Sequence, residues 1–163
     1  MEITHTPVAK AEMLIRRPVA EVFEAFTDPA ITSKFWFTKG SGRLEKGRRI
    51  RWDWEMYGVS TQVDVKELEK NRRILIEWDG YSGRTLVEWT FTARNEHETF
   101  VTVIESGWTG NGDELVQYAL NSTGGFTFMI CGLKAFLEHH ISLNLTADHA
   151  PDKIKEGYYP PSK

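Results

Sequence analysis

Thr99-Phe100-Val101-Thr102-Val103-Ile104-Glu105-Ser106-Gly107-Trp108 is the stretch on which the fold turns. Val101, Val103 and Glu105 are spaced by two, the period of a strand with one inward face. Downstream the period changes. Phe126, Met129, Ile130, Leu133, Phe136, Leu137 and Ile141 recur at three and four, with Lys134 and Glu138 on the other side. This spacing predicts one long amphipathic helix, starting near Gly112-Asp113 or at the latest after Gly124-Gly125. Two adjacent glycines cost about 1–2 kcal/mol inside a helix, so a kink or break is expected there.

Upstream, the alternation extends backwards through the middle of the chain. Ile50, Trp52, Trp54 and Met56 alternate with charged residues, and Val59, Thr61, Val63 and Val65 with polar ones. Ile74, Ile76 and Trp78 form a further set, as do Val87, Trp89 and Phe91. Tyr57-Gly58, Lys70-Asn71, Asp79-Gly80, Ser82-Gly83 and Arg94-Asn95 between them are turn chemistry. Short links predict an antiparallel meander, apolar on one face and twisted into a half-open grip. Nearer the N-terminus, residues 9–16 alternate loosely as a first strand. Residues 18–26 carry Val19, Val22, Phe23 and Phe26 at helical spacing behind Pro18. Thr27-Asp28-Pro29 starts a second short helix, expected to reach about residue 35.

The chain is therefore α+β: a strand, two short helices, a strand meander and a long helix. Its 163 residues form one domain, 1–163, with a core over about 8–145. Residues 146–163, with Pro151, Pro160 and Pro161, read as an irregular arm. A net charge of −3, from 20 basic and 23 acidic residues, argues against nucleic acid as a partner. The lone Cys131 excludes an internal disulfide framework and fits a reducing cytoplasm. No apolar run approaches the ~20 residues of a membrane span, and Glu2, His5, Lys10 and Glu12 interrupt any signal pattern.

The unusual feature is aromatic: 6 Trp, 5 Tyr and 9 Phe. Rings in that number build a large core or line a cavity within one. Trp52, Trp54, Trp78 and Trp89 share the inferred inner face, opposite the Phe126, Ile130 and Leu133 face of the helix. With Trp108 they form the candidate ligand-binding set; the competing reading is that they simply fill the core. Glu105 is its candidate polar anchor, since a dehydrated carboxylate among rings has the profile of a general acid or ligand-anchoring group. The competing reading is a strand-end Glu that reaches solvent or pairs with a basic neighbour.

Other motifs carry less. His139 and His140 point about 100° apart on a helix and lack ligands at three or four residues' spacing, so no metal is expected. Cys131 has no local nucleophile motif, and residues 46–51 read as a solvated basic turn. Residues 107–112 are glycine-rich without the Lys-Ser/Thr of a phosphate loop, and read as a flexible lid over the cavity mouth. Nothing forms a nucleophile–base–orienter set, so the reading leans away from an enzyme, and no cofactor is expected.

Three segments resemble, in order, motifs of the START-related, birch-pollen-allergen-like (SRPBCC) superfamily. Arg17-Pro18-Val19-Ala20-Glu21-Val22-Phe23-Glu24-Ala25-Phe26-Thr27-Asp28-Pro29 is similar to its opening, the stretch 99–108 to its last strand, and Gly132-Leu133-Lys134-Ala135-Phe136-Leu137-Glu138 to the end of its long helix. The closest branch is the activator-of-heat-shock-protein-90-ATPase-homologue-like group. Gly40-Ser41-Gly42-Arg43 departs from that family's Gly-Gly-rich start of the second strand. The resemblance implies a helix-grip fold, a curved antiparallel sheet wrapped around the C-terminal helix with a cavity between them. Three functions compete: binding of a small hydrophobic or aromatic ligand, a co-chaperone-like interaction module, and a cyclase- or hydrolase-type enzyme using the same cavity. Full activators carry a separate N-terminal domain, for which this chain has no room. A curled sheet also leaves edges, so a homodimer is expected to be accessible, with Tyr158, Tyr159 and Pro160 covering an edge or reaching a neighbour.

Overall fold

A computed structural model describes residues 2–159. Its strands are β1 (Ala9–Ile15), β2 (Lys39–Gly40), β3 (Arg49–Trp54), β4 (Val59–Glu69), β5 (Arg73–Gly80), β6 (Gly83–Asn95) and β7 (Glu98–Ser106). Its helices are α1 (Val19–Thr27), α2 (Pro29–Thr32), α3 (Gly112–His139) and α4 (Leu145–Asp148). All seven strands join one sheet in the order β1-β7-β6-β5-β4-β3-β2, and every neighbouring pair is antiparallel. This is the curved-sheet and long-helix architecture of the helix grip.

Strict alternation places the core. Along β7 the residues Thr99, Val101, Val103 and Glu105 are buried, and their neighbours are half-buried. Register then sets Val103 opposite Trp89 on β6 and Ala11 on β1, and Glu105 opposite Val87 and Ala9. The inner face thus meets Phe126, Met129, Ile130 and Leu133 of α3, each at most 3% exposed.

α3 is not broken at Gly124-Gly125, contrary to the expectation from glycine cost. Burial of the four large side chains that follow contributes about 1.5–3 kcal/mol each, which outweighs two weak helix formers. Its start is also well held. The Asn111 side chain accepts from the Glu114 amide at 3.0 Å, and the Glu114 carboxylate accepts from the Asn111 amide at 2.9 Å, a capping box. The helix ends at His139, because His140 takes a left-handed φ of 55°. Ile141 therefore lies outside it and is half exposed. The polar side of α3 is no plain solvated face. Lys134 donates to the Leu14 carbonyl at 2.8 Å and to Glu138 at 2.7 Å, and Glu138 accepts from the Arg16 amide at 3.1 Å, stitching α3 to β1.

α2 stops at Thr32, short of the expected residue 35. The Thr32 hydroxyl donates to the Ala25 carbonyl at 2.6 Å and to the Asp28 carbonyl at 3.0 Å, and the chain beyond turns Phe35, Trp36 and Phe37 into the core. The C-terminal arm is more ordered than expected. α4 and a 3-10 turn at Pro151–Lys153 follow a second left-handed residue, Asn144, with φ 56°. The arm seats on the 3-10 turn Glu55–Tyr57, where the Lys155 amide donates to the Met56 carbonyl at 2.8 Å. It adds no strand to the sheet; Tyr159 is exposed, and Pro160 falls outside the described residues. Among the described residues no helix is long and apolar enough to cross a membrane.

Candidate functional site

Glu105 enters the interior because β7 alternates without a bulge as far as that position. It is 2% exposed, and its partners come from three separate elements. Thr85 on β6 donates to its Oε1 at 2.7 Å, the Trp78 indole on β5 donates to the same oxygen at 3.2 Å, and Ser122 on α3 donates to Oε2 at 2.5 Å. All three donors are neutral, and among the described residues no basic side chain pairs with Glu105. It bolts the sheet to the helix. Gly80 makes this possible: a Cβ there would stand 2.5 Å from Thr85 Oγ1 and 3.1 Å from Glu105 Oε1.

Above the carboxylate lies a ring cluster centred on Trp36. Its ring centroid is 5.0 Å from Trp52, 5.6 Å from Trp54, 5.9 Å from Trp78, 5.9 Å from Trp89 and 6.3 Å from Phe126. Most of these pairs are edge-on or tilted, the arrangement the ring quadrupole favours. The cluster does not fill the grip. A cleft of ≈ 880 Å³ remains, with Trp36, Trp54 and Trp78 as aromatic wall and Glu105 at its inner end. Gly124 and Gly125 of α3 border it, and a Cβ on either would meet nothing within 4 Å. Val59, Tyr81 and Leu120, all exposed, form an apolar rim. The arm closes one side with Thr146, His149, Ala150 and Lys153. It is held there by the Tyr57 hydroxyl, which donates to the Thr146 and Ala147 carbonyls, and by the Phe128 ring at 4.9 Å from His149. Burial, helped by the Asp148 charge, pushes the Tyr57 phenol above its ordinary range, so it stays a donor.

The candidates from sequence divide. Trp54, Trp78 and Glu105 line the cleft. Trp52, Trp89, Phe126, Ile130 and Leu133 are buried around it without lining it, and act as the packing behind the wall. Trp108 is buried away from the lining, and the indole N–H groups of Trp89 and Trp108 have no partner among the described residues. None of residues 107–112, expected as a lid, lines the cleft. This loop links β7 to α3, tied by the Thr109 amide to Ser82 Oγ at 3.0 Å and by the Asn111 cap. His140, as the left-handed cap, leaves the helix that His139 ends. Among the described residues no group of three or more His, Cys, Asp and Glu side chains could hold a metal ion. Trp36, Tyr57, Phe128 and His149 were not singled out from sequence. Trp36 had one visible signal, the run Phe35-Trp36-Phe37 in a segment read as helix end.

The model of the Activator of Hsp90 ATPase homolog 1-like protein family matches residues 16–138. Protein SSP2350 from Staphylococcus saprophyticus is 28% identical and superposes with a TM-score of 0.73 over 84% of this chain and 96% of its own. DynU16, a protein in the dynemicin biosynthetic locus, is 26% identical with a TM-score of 0.71, over 83% of this chain and 48% of its own. The Aha1 dimer from Colwellia psychrerythraea matches at 18% identity and a TM-score of 0.69, over 82% of this chain and 97% of that one, which speaks for the fold alone. No curated protein matches the sequence.

Proposed function

The chain belongs to the Activator of Hsp90 ATPase homolog 1-like family within the SRPBCC superfamily, and from that premise we propose that it binds a small apolar or aromatic molecule in the cleft between sheet and α3. The observation that carries this reading is the ≈ 880 Å³ opening itself, bounded by Trp36, Trp54 and Trp78 with a buried carboxylate at its inner end. Mostly apolar clefts of this size with a few convergent polar groups are the usual form of small-molecule sites. Glu105 serves as an anchor rather than a general acid, because its oxygens are already held by Thr85, Trp78 and Ser122. The likeness to DynU16, a protein in the dynemicin biosynthetic locus, supports the ligand-binding reading.

Two of the lining rings are tryptophans that are only half-buried, so occupancy is readable by their fluorescence. Titration with Nile red should give a saturable one-to-one quench, weakened in Trp54→Ala. A titration with no saturable change, repeated by calorimetry with no heat, would sink the reading.

An assembly of two copies is a second reading. β2 is two residues long and covers β3 only opposite Trp52 and Asp53, leaving the rest of that edge without a strand. The Colwellia neighbour is a dimer. Light scattering at high concentration should return twice the 18.7 kDa of one chain; a monomer mass throughout rejects it.

A further inference from the structure

The inner half of the cleft holds a buried carboxyl group that no basic side chain among the described residues answers. Glu105 lines the cleft at 2% exposure, yet its hydrogen-bond donors are two hydroxyls and one indole, all neutral. An acidic group so far from water gains most from a partner that brings opposite charge to it. The same space is walled by indole rings. Trp36, Trp54 and Trp78 stand 5.6, 5.9 and 6.3 Å apart in pairs. Trp78 gives its N–H edge to Glu105 and stacks on Phe126 at 6.0 Å and 16°, and it still lines the cleft. Indole is the best cation–π surface among side chains, and its attraction for a cation grows when water is excluded.

The other acidic and basic groups of the lining are exposed, which leaves Glu105 as the buried one among them. Asp79 is exposed and answered by Arg84 at 3.3 Å, so solvent and that partner screen it. The basic groups, Lys153 and His149, both come from the arm; Lys153 is exposed, where solvent screens it. Tyr57 and Tyr81 complete the titratable set. An anionic ligand head placed at the inner end would face Glu105 and the negative faces of the indoles together.

We propose that the cleft takes an organic cation, an amine or quaternary ammonium on a compact apolar or aromatic body, with its charged head against the cleft-facing sides of Trp54 and Trp78 near Glu105. This rests on the ligand-binding reading and specifies the chemical class that the reading leaves open. The test is fluorescence titration of the full chain with benzyltrimethylammonium and with neopentylbenzene, which has the same shape with carbon in place of the charged nitrogen. The cation should bind about tenfold more tightly than the isostere. Glu105→Gln and, independently, Trp54→Leu should shrink that ratio, each weakening benzyltrimethylammonium by a larger factor than neopentylbenzene. Trp54 is half-buried at the wall, so its variant keeps the test decisive should Glu105→Gln fold poorly. Equal or tighter binding of the neutral isostere overturns the cation proposal and leaves the ligand-binding reading standing. Failure of both probes and of Nile red to change the fluorescence overturns the reading and the proposal together.

Discussion

At the scale of single residues, Glu105 shows how a period of two and a tertiary network divide the information. Its inward direction was legible from Val101 and Val103. Its partners were not, because Trp78, Thr85 and Ser122 lie 27, 20 and 17 residues away in sequence, on three elements that only the folded chain brings together. The network has an asymmetric consequence. Trp78 Nε1 can only donate, so an apolar replacement strands it in the interior, whereas the two hydroxyls can turn elsewhere. Glu105→Leu should therefore cost about 1–3 kcal/mol in urea unfolding. Glu105→Gln keeps an acceptor for Trp78 and Thr85 and offers an amide donor to the Ser122 hydroxyl, so it should stay within about 1 kcal/mol of the parent. Equal losses for both would mean that the charge itself, rather than acceptor geometry, holds the sheet to α3.

At the scale of elements, the glycine pair of α3 is where reading from propensity went astray. Gly124-Gly125 looked like a helix break because local cost was counted without the packing that follows it. In the fold these positions face the cleft, and a Cβ on either meets nothing within 4 Å. Their smallness enlarges the cavity at the expense of helix stability. Gly124→Ala should accordingly raise stability by about 0.5–1 kcal/mol, seen as a higher Tm, because Ala loses less backbone entropy on folding and meets no clash. The same methyl group intrudes on the cleft, so Nile red affinity should fall. A variant that gains stability with unchanged affinity would show that the glycines do not border the occupied part of the cleft. α2 and Trp36 teach the converse. The second helix was expected to reach about residue 35, just before Trp36, yet Thr32 closes it early and the chain beyond turns Trp36 inward as the centre of the ring cluster.

On the scale of the whole molecule, the order of elements was readable because meander and long helix have incompatible periods, and each period persists over many residues. The shape of the cleft was not, since one of its walls comes from the arm. Residues beyond 138 lie outside the family match, and proline content alone suggested irregular chain there. Two left-handed residues, His140 and Asn144, turn the arm back across the grip, and Tyr57 fastens it through the Thr146 and Ala147 carbonyls. The family frame thus supplies the aromatic wall and Glu105, while the arm supplies Thr146, His149, Ala150 and Lys153. Removing the phenolic hydroxyl separates the two contributions. Tyr57→Phe keeps the ring against His149, at 6.3 Å, but deletes the hydrogen bonds to α4. Because the arm packs on the edge of the grip and not within its core, global stability should drop by no more than about 1 kcal/mol. Local opening should respond far more, as segments with few buried apolar contacts unfold below the global free energy. Hydrogen exchange of the Lys155 and Asp148 amides, bonded to the Met56 and Asn144 carbonyls, should accelerate while that of Val101 and Val103 on β7 stays unchanged. Bound Nile red should also dissociate faster. Should Lys155 exchange at the parental rate, Tyr57 is not what fastens the arm. Should β7 accelerate along with it, the arm is part of the cooperative core and not a wall that opens on its own.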